Sequence, residues 1–225
     1  MEENDGLDDL FLEMDLLDAE IDEESKKIDD LMEWVDILLE LADKLVDFNA
    51  NMDSIHQGII GASNNENDNY HFLNGTLLVG LVSAYENFVH DFFDSCCDNK
   101  DLLIMAVSAI DKLNPSDKKH LRLNVAKEKL NEVYLRSMLK RVTLHDPIQI
   151  ARISEVLFGL KMPMLEISYV EKLLSQRNAF THRGGFSDGE KLDVRFNYLV
   201  KIHDDIYMLI NGYVEAMQLE AKKLL

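Results

Sequence analysis

Apolar residues in this chain recur at steps of three and four over long stretches and nowhere alternate convincingly, a spacing that builds helices rather than sheets. The run LLVGLVSAYENFVHDFF over 77–93 sets Leu77, Leu81, Tyr85, Phe88 and Phe92 on one helical face. Leu165, Tyr169, Leu173 and Phe180 repeat the pattern, and Leu192, Phe196, Leu199, Ile202, Ile206, Leu209 and Val214 carry it over about 190–222. Only 3 Pro and 10 Gly occur in 225 residues, so few breakers interrupt these helices. The chain is expected to fold as an all-α, antiparallel helical bundle. Its hydrophobic content of 47% is ample for a core.

Turn and cap signals divide the chain. Asn49-Ala50-Asn51 is expected to end a first long helix, and the polar run 62–69 to form a loop before a helix over 70–97. A helix over 101–113 stops ahead of Asn114-Pro115, where Asn114 or Ser116 can cap a basic helix. Asp146-Pro147 opens a helix reaching Gly159, and Pro163 separates it from one that begins near Glu166 and is stopped by Gly184-Gly185. Residues 1–50 read as an acidic arm and 51–225 as a helical domain.

The formal charge of -19 sits mostly in that arm. Residues 1–50 hold 19 acidic and 3 basic side chains, which leaves only -3 for the remainder. Within the arm Leu7, Leu10, Met14, Leu17, Ile21, Ile28, Leu31, Val35, Leu38, Ala42 and Leu45 keep a heptad spacing, broken at Glu24. Such a helix has three places to put its seam: its own domain, a second protomer, or another protein. The basic counterpart is 118–141, where Lys118, Lys119, Arg122, Lys140 and Arg141 are the candidates for holding phosphates.

Several chemistries lack their residues. The chain has no Gly-rich phosphate loop after a strand, no GxSxG elbow, no paired His at metal-binding helical spacing and no DxDxDG calcium loop, so no metal and no cofactor are expected. His71, His90, His120, His145 and His203 are scattered, and Cys96 and Cys97 are adjacent and too few for a disulfide framework. No signal peptide is recognisable and no apolar run reaches the roughly 18–20 residues of a membrane helix, so a cytoplasmic protein without a membrane partner is expected.

The densest chemistry is RNAFTHRGG over 177–185. It places a fixed cation, an amide and a titratable imidazole, Arg177, Asn178 and His182, on the last turns of a helix. At about 100° per residue Asn178 and His182 share a face, whereas Arg177 and His182 diverge by roughly 140°. Cations at a helix C-terminus also satisfy the helix dipole without further purpose. Glu86 in the middle of an apolar helix needs a donor or a solvated cleft; pairing with Arg177 and exposure on the polar side of its helix both meet that need.

Arg followed by a polar residue, then His near a helix end and Gly beyond, resembles the signature of the HEPN superfamily, all-helical domains that include metal-independent ribonucleases. The aromatic-Glu pair Tyr85-Glu86 after small residues is similar to the second helix of several HEPN families, and the likeness covers roughly 70–222. It implies a HEPN-like bundle with Arg177, Asn178 and His182 as catalytic residues, supported by Glu86 and Arg183. It further implies a homodimer that pools two imidazoles, cleavage of RNA through its 2′-hydroxyl, and a toxin, antiphage-defence or stress-response role with an antitoxin or other protein bound to the arm. HEPN-like domains also serve as non-catalytic scaffolds, which is the alternative.

Overall fold

The computed structural model describes residues 5–63 and 70–224. The helices among them are α1 (Asp5–Ser63), α2 (His71–Asp98), α3 (Lys100–Ala109), α4 (Pro115–His120), α5 (Glu132–Leu139), α6 (Pro147–Phe158), α7 (Ile167–Arg183) and α8 (Phe196–Ala221). A two-residue antiparallel ladder, β1 (Phe186–Ser187) with β2 (Glu190–Lys191), is the sole sheet among the described residues. The fold is all-α. No described helix is long and apolar enough to cross a membrane.

Helix α2 is the hub, packing on α1, α7 and α8. Its apolar stripe of Leu78, Leu81, Tyr85, Phe88 and Phe92 is buried, as a stripe at these steps requires. Helix α1 runs antiparallel to it: Phe48 meets Phe88 edge-on at 5.4 Å between ring centres, and the Glu33 carboxylate accepts the Lys100 N–H at 2.8 Å. Helix α8 returns against α1 through Phe48 on Tyr207 and His56 on His203. Deep between α2 and α8 the Tyr85 and Tyr213 hydroxyls share one hydrogen bond at 2.6 Å, one donating and the other accepting.

A second layer of α3, α4, α5 and α6 rests on one end of α2. Its polar anchor is Asp117, which is buried and accepts Asn114 Nδ2 at 2.6 Å, Gln149 Nε2 at 2.9 Å and Arg152 Nη2 at 3.1 Å. Burial alone would raise the Asp117 carboxyl; the Arg152 and Gln149 bonds outweigh it and hold the group below its ordinary value.

Four expectations are corrected. Helix α1 does not end at Asn49-Ala50-Asn51 but continues through Ala62 and Ser63, because Phe48, Met52 and Ile59 bury on α2 and α8 and hold that stretch helical. Between 30 and 50 the residues of α1 that enter the core are Trp34, Ile37, Leu41 and Phe48; of the heptad seam Leu38 and Leu45 pack partly against it, while Val35 and Ala42 are exposed. The basic stretch 118–141 is not one helix; it breaks into the single turn and a half of α4, an irregular segment with Arg122 at φ 55°, and α5. The last helix begins at Phe196 rather than near 190, since Asp188 (φ 51°) and Gly189 (φ 84°) turn the chain into the β1–β2 ladder first.

Residues 16–29 are exposed on every side, so this part of the arm does not lie over the basic stretch. Of the loop expected over 62–69, Ala62 and Ser63 belong to α1 and residues 64–69 lie outside the described residues, as do the side chains of Leu7 and Leu10. Cys96 and Cys97 are free and buried, and burial pushes the Cys97 thiol up to about 12.

Candidate functional site

Helix α7 is fixed at both ends by its own sequence. The Glu166 carboxylate accepts the N–H groups of Ser168 and Tyr169, each at 3.0 Å, and Gly184 closes the helix in the left-handed conformation with the Gly185 N–H on Ala179 O at 3.1 Å. Val170, Leu173, Gln176, Ala179 and Phe180 point inward. Phe180 is seated against two glycines, Gly75 of α2 and Gly185 (φ 85°), and a Cβ at either would overlap its ring. His71 covers the ring from 5.2 Å. The motif's last turns are thereby pinned to the start of α2.

Arg177 lies on the boundary between α7 and α2, its side chain only 15% exposed. Its Nη2 is 3.7 Å from Glu86 Oε2, the pair that the apolar setting of Glu86 calls for. Its Nη1 donates to Asn178 Oδ1 at 3.1 Å, and its Nε is buried with no hydrogen-bond partner among the described residues. The Arg177 carbonyl accepts the Thr181 hydroxyl at 2.8 Å.

Glu86 has two further neighbours. The Leu144 N–H donates to Oε1 at 2.9 Å, and His145 Nδ1 stands 3.8 Å from Oε2, an ion-pair distance rather than a hydrogen bond. Burial pushes the Glu86 carboxyl up, but His145, the Leu144 N–H and Arg177 together outweigh burial and hold it below its ordinary value. His145 is the residue that the sequence did not single out. It precedes the Asp146 cap of α6, whose carboxylate accepts the Ile148 N–H at 2.9 Å, and the Leu144 N–H on Glu86 ties this loop to α2.

Asn178, His182 and Arg183 are exposed on the C-terminal turns of α7. Arg177 and Asn178 are thus in contact, while His182 stands on a different side of the helix from the guanidinium. The basic candidates lie elsewhere. Lys140 pairs with Asp94 at 2.9 Å and Lys118 with Asp111 at 3.7 Å, so both are partly neutralised; Lys119, Arg122 and Arg141 are exposed. Asp94 lies 19 residues along α2 from Gly75, the contact of Phe180, a separation of about 28 Å along the helix axis. Phe180 and Lys140 therefore touch opposite ends of α2, whereas Arg177, on Glu86, stands eight residues or about 12 Å along the axis from Asp94, and Leu144, three residues beyond Arg141, shares Glu86 with it. On α7 itself Lys172 lies over the Tyr198 ring at 5.5 Å.

No group of three or more His, Cys, Asp or Glu side chains among the described residues is arranged to hold a metal ion. Comparison of the chain with family models, with curated proteins and with solved structures gives no match.

Proposed function

We propose that this protein is a cytoplasmic, metal-independent endoribonuclease of the HEPN type that acts as a homodimer. The reading is carried by one observation: an imidazole and an amide, His182 and Asn178, stand exposed on the final turns of a helix whose adjacent guanidinium, Arg177, is locked in place by Glu86. One imidazole takes the proton from a ribose 2′-hydroxyl, the 2′-oxygen bonds to phosphorus, and the bond from phosphorus to the 5′-oxygen breaks as that oxygen receives a proton from a second imidazole. The second imidazole is His182 of the other protomer. Arg177 faces the charge that gathers on the phosphorane, Asn178 orients the hydroxyl or the phosphate, and Arg183 with Lys119, Arg122 and Arg141 holds flanking phosphates. The need for a 2′-hydroxyl selects RNA over DNA. Following the HEPN likeness, the setting is toxin action, antiphage defence or stress response, with an antitoxin or other protein on the N-terminal arm.

The alternative, a HEPN-like scaffold without catalysis, is favoured by the Glu86 pair itself, which neutralises the cation a phosphate would need. The two separate in EDTA with mixed cellular RNA as substrate. A nuclease leaves 2′,3′-cyclic phosphate and 5′-hydroxyl ends, and His182→Ala and Arg177→Ala each abolish them while the helical circular-dichroism signal stays intact. RNA left whole by the wild type, or cut equally by His182→Ala, leaves the scaffold.

A further inference from the structure

Helix α1 carries two apolar faces, and only one of them is used. At about 100° per residue, Trp34, Ile37, Leu41 and Phe48 share the inner face, which enters the core. A second stripe runs roughly 160° around the helix from it. On the arm it consists of Met14, Leu17, Ile21 and Ile28; over the bundle it continues as Met32, Val35, Leu39 and Val46. All eight are between 41% and 65% exposed. A stripe this long on one face marks a contact surface rather than scattered surface apolars. It does not serve the fold, because between 34 and 46 the core already occupies the other side of the same helix.

The charges beside the stripe decide what covers it. Along its whole length one border is acidic, with Asp18, Asp22, Asp29, Asp36, Asp43 and Asp47 all exposed and at helical spacings of four and seven. The other border carries Glu13, Glu20 and Glu24 on the arm. Lys27 sits 3.0 Å from Glu23 and 3.4 Å from Glu24, so it is already engaged within the helix. A second copy of the chain in antiparallel register would set the Asp row against itself; in parallel register it would set that row against Glu13, Glu20 and Glu24. Both arrangements place like charges where a coiled coil needs opposite ones. A helix bordered by Lys and Arg meets the Asp row along the stripe and Glu13, Glu20 and Glu24 along the arm with opposite charge.

We propose that the outer stripe of α1, from Met14 to Val46, is a docking face for an amphipathic helix of another protein whose apolar seam is flanked by Lys and Arg. The proposal rests on the stripe and its charges and is independent of the catalytic reading. Binding continues the helix pairing of α1 onto its outer side and covers the exposed stretch 16–29, which gains no packing from its own chain.

The full-length chain is titrated with a labelled designed peptide of about four heptads, Leu and Ile at the seam and Lys at the flanks, and with the same seam flanked by Glu. The Lys peptide binds and is weakened by salt; the Glu peptide binds at least about a hundredfold more weakly. The double variant I28S/L39S, which keeps every charge and changes two exposed side chains, loses at least about tenfold in affinity for the Lys peptide with an unchanged circular-dichroism spectrum. Equal binding of the Lys peptide by wild type and variant reduces the effect to bulk charge and overturns the proposal. So does equal binding of the two peptides. Sedimentation that shows the wild type self-associating and I28S/L39S not doing so gives the stripe to a second copy and overturns it as well.

Discussion

Glu86 shows how one misfit residue organises its surroundings. A carboxylate on the apolar helix α2 would be costly alone, and the chain answers with the Leu144 N–H at 2.9 Å, Arg177 at 3.7 Å and His145 at 3.8 Å. Because these partners hold the folded carboxyl below its value in the unfolded chain, the group stabilises the fold above the ordinary carboxylate value and ceases to do so as pH falls through the lower, folded value. Glu86→Gln keeps the size of the side chain and removes the charge, leaving Arg177 without its counter-ion. The variant is expected to lose about 1–2 kcal/mol at pH 7, read from urea midpoints, a figure kept small because the site is part solvated. The loss should shrink as the pH is lowered into the acid limb, where the wild type surrenders the same contribution. A loss that is equal at pH 7 and pH 4 would mean that the carboxylate's charge has no part in the network.

At the level of elements, the interlock of α2 and α7 turns on Gly75, whose missing side chain makes room for the Phe180 ring. Gly75→Ala drives a methyl into that ring and should destabilise by about 1–3 kcal/mol, visible as a lower thermal midpoint, with the last turn of α7 displaced from α2. The ends of the helices around this contact were legible in the sequence: Asp146-Pro147, Gly159 and Gly184 each mark a boundary through local backbone chemistry that tertiary packing did not override. Asn49-Ala50-Asn51 was misleading for the opposite reason, since two asparagines, weak helix formers, are held helical there by Phe48 and Met52 in the core. The site divides in the same way. A donor for Glu86 follows from the apolar helix around it, and Arg177 fills that need. His145 is 59 positions away in sequence and reaches Glu86 only through the docking of α6, which no local pattern encodes. The register of α1 was hidden because the helix is apolar on two sides, and periodicity alone does not say which side faces in.

For the molecule as a whole, α1 is two things in one helix: an exposed arm over 16–29 and, from Trp34 onward, a wall of the core. A boundary at residue 50 falls inside that wall. Starting the chain at residue 31 removes the exposed stretch 16–29, so its thermal midpoint should match the full chain within a few degrees, even though it loses most of the net negative charge. Starting at residue 51 strips Trp34, Ile37, Leu41 and Phe48 from the core and uncovers Phe88 and Tyr207. Burial of four such side chains is worth about 6–12 kcal/mol, comparable to the whole stability of about 5–15 kcal/mol expected of a domain. The shorter fragment should therefore fail to give a cooperative thermal transition and should bind a hydrophobic dye, whereas the longer one melts as the intact protein does. If the fragment from residue 51 melts cooperatively near the full-length midpoint, the bundle of α2, α7 and α8 closes without α1, and the inner face of α1 is then a docked strap rather than part of the core.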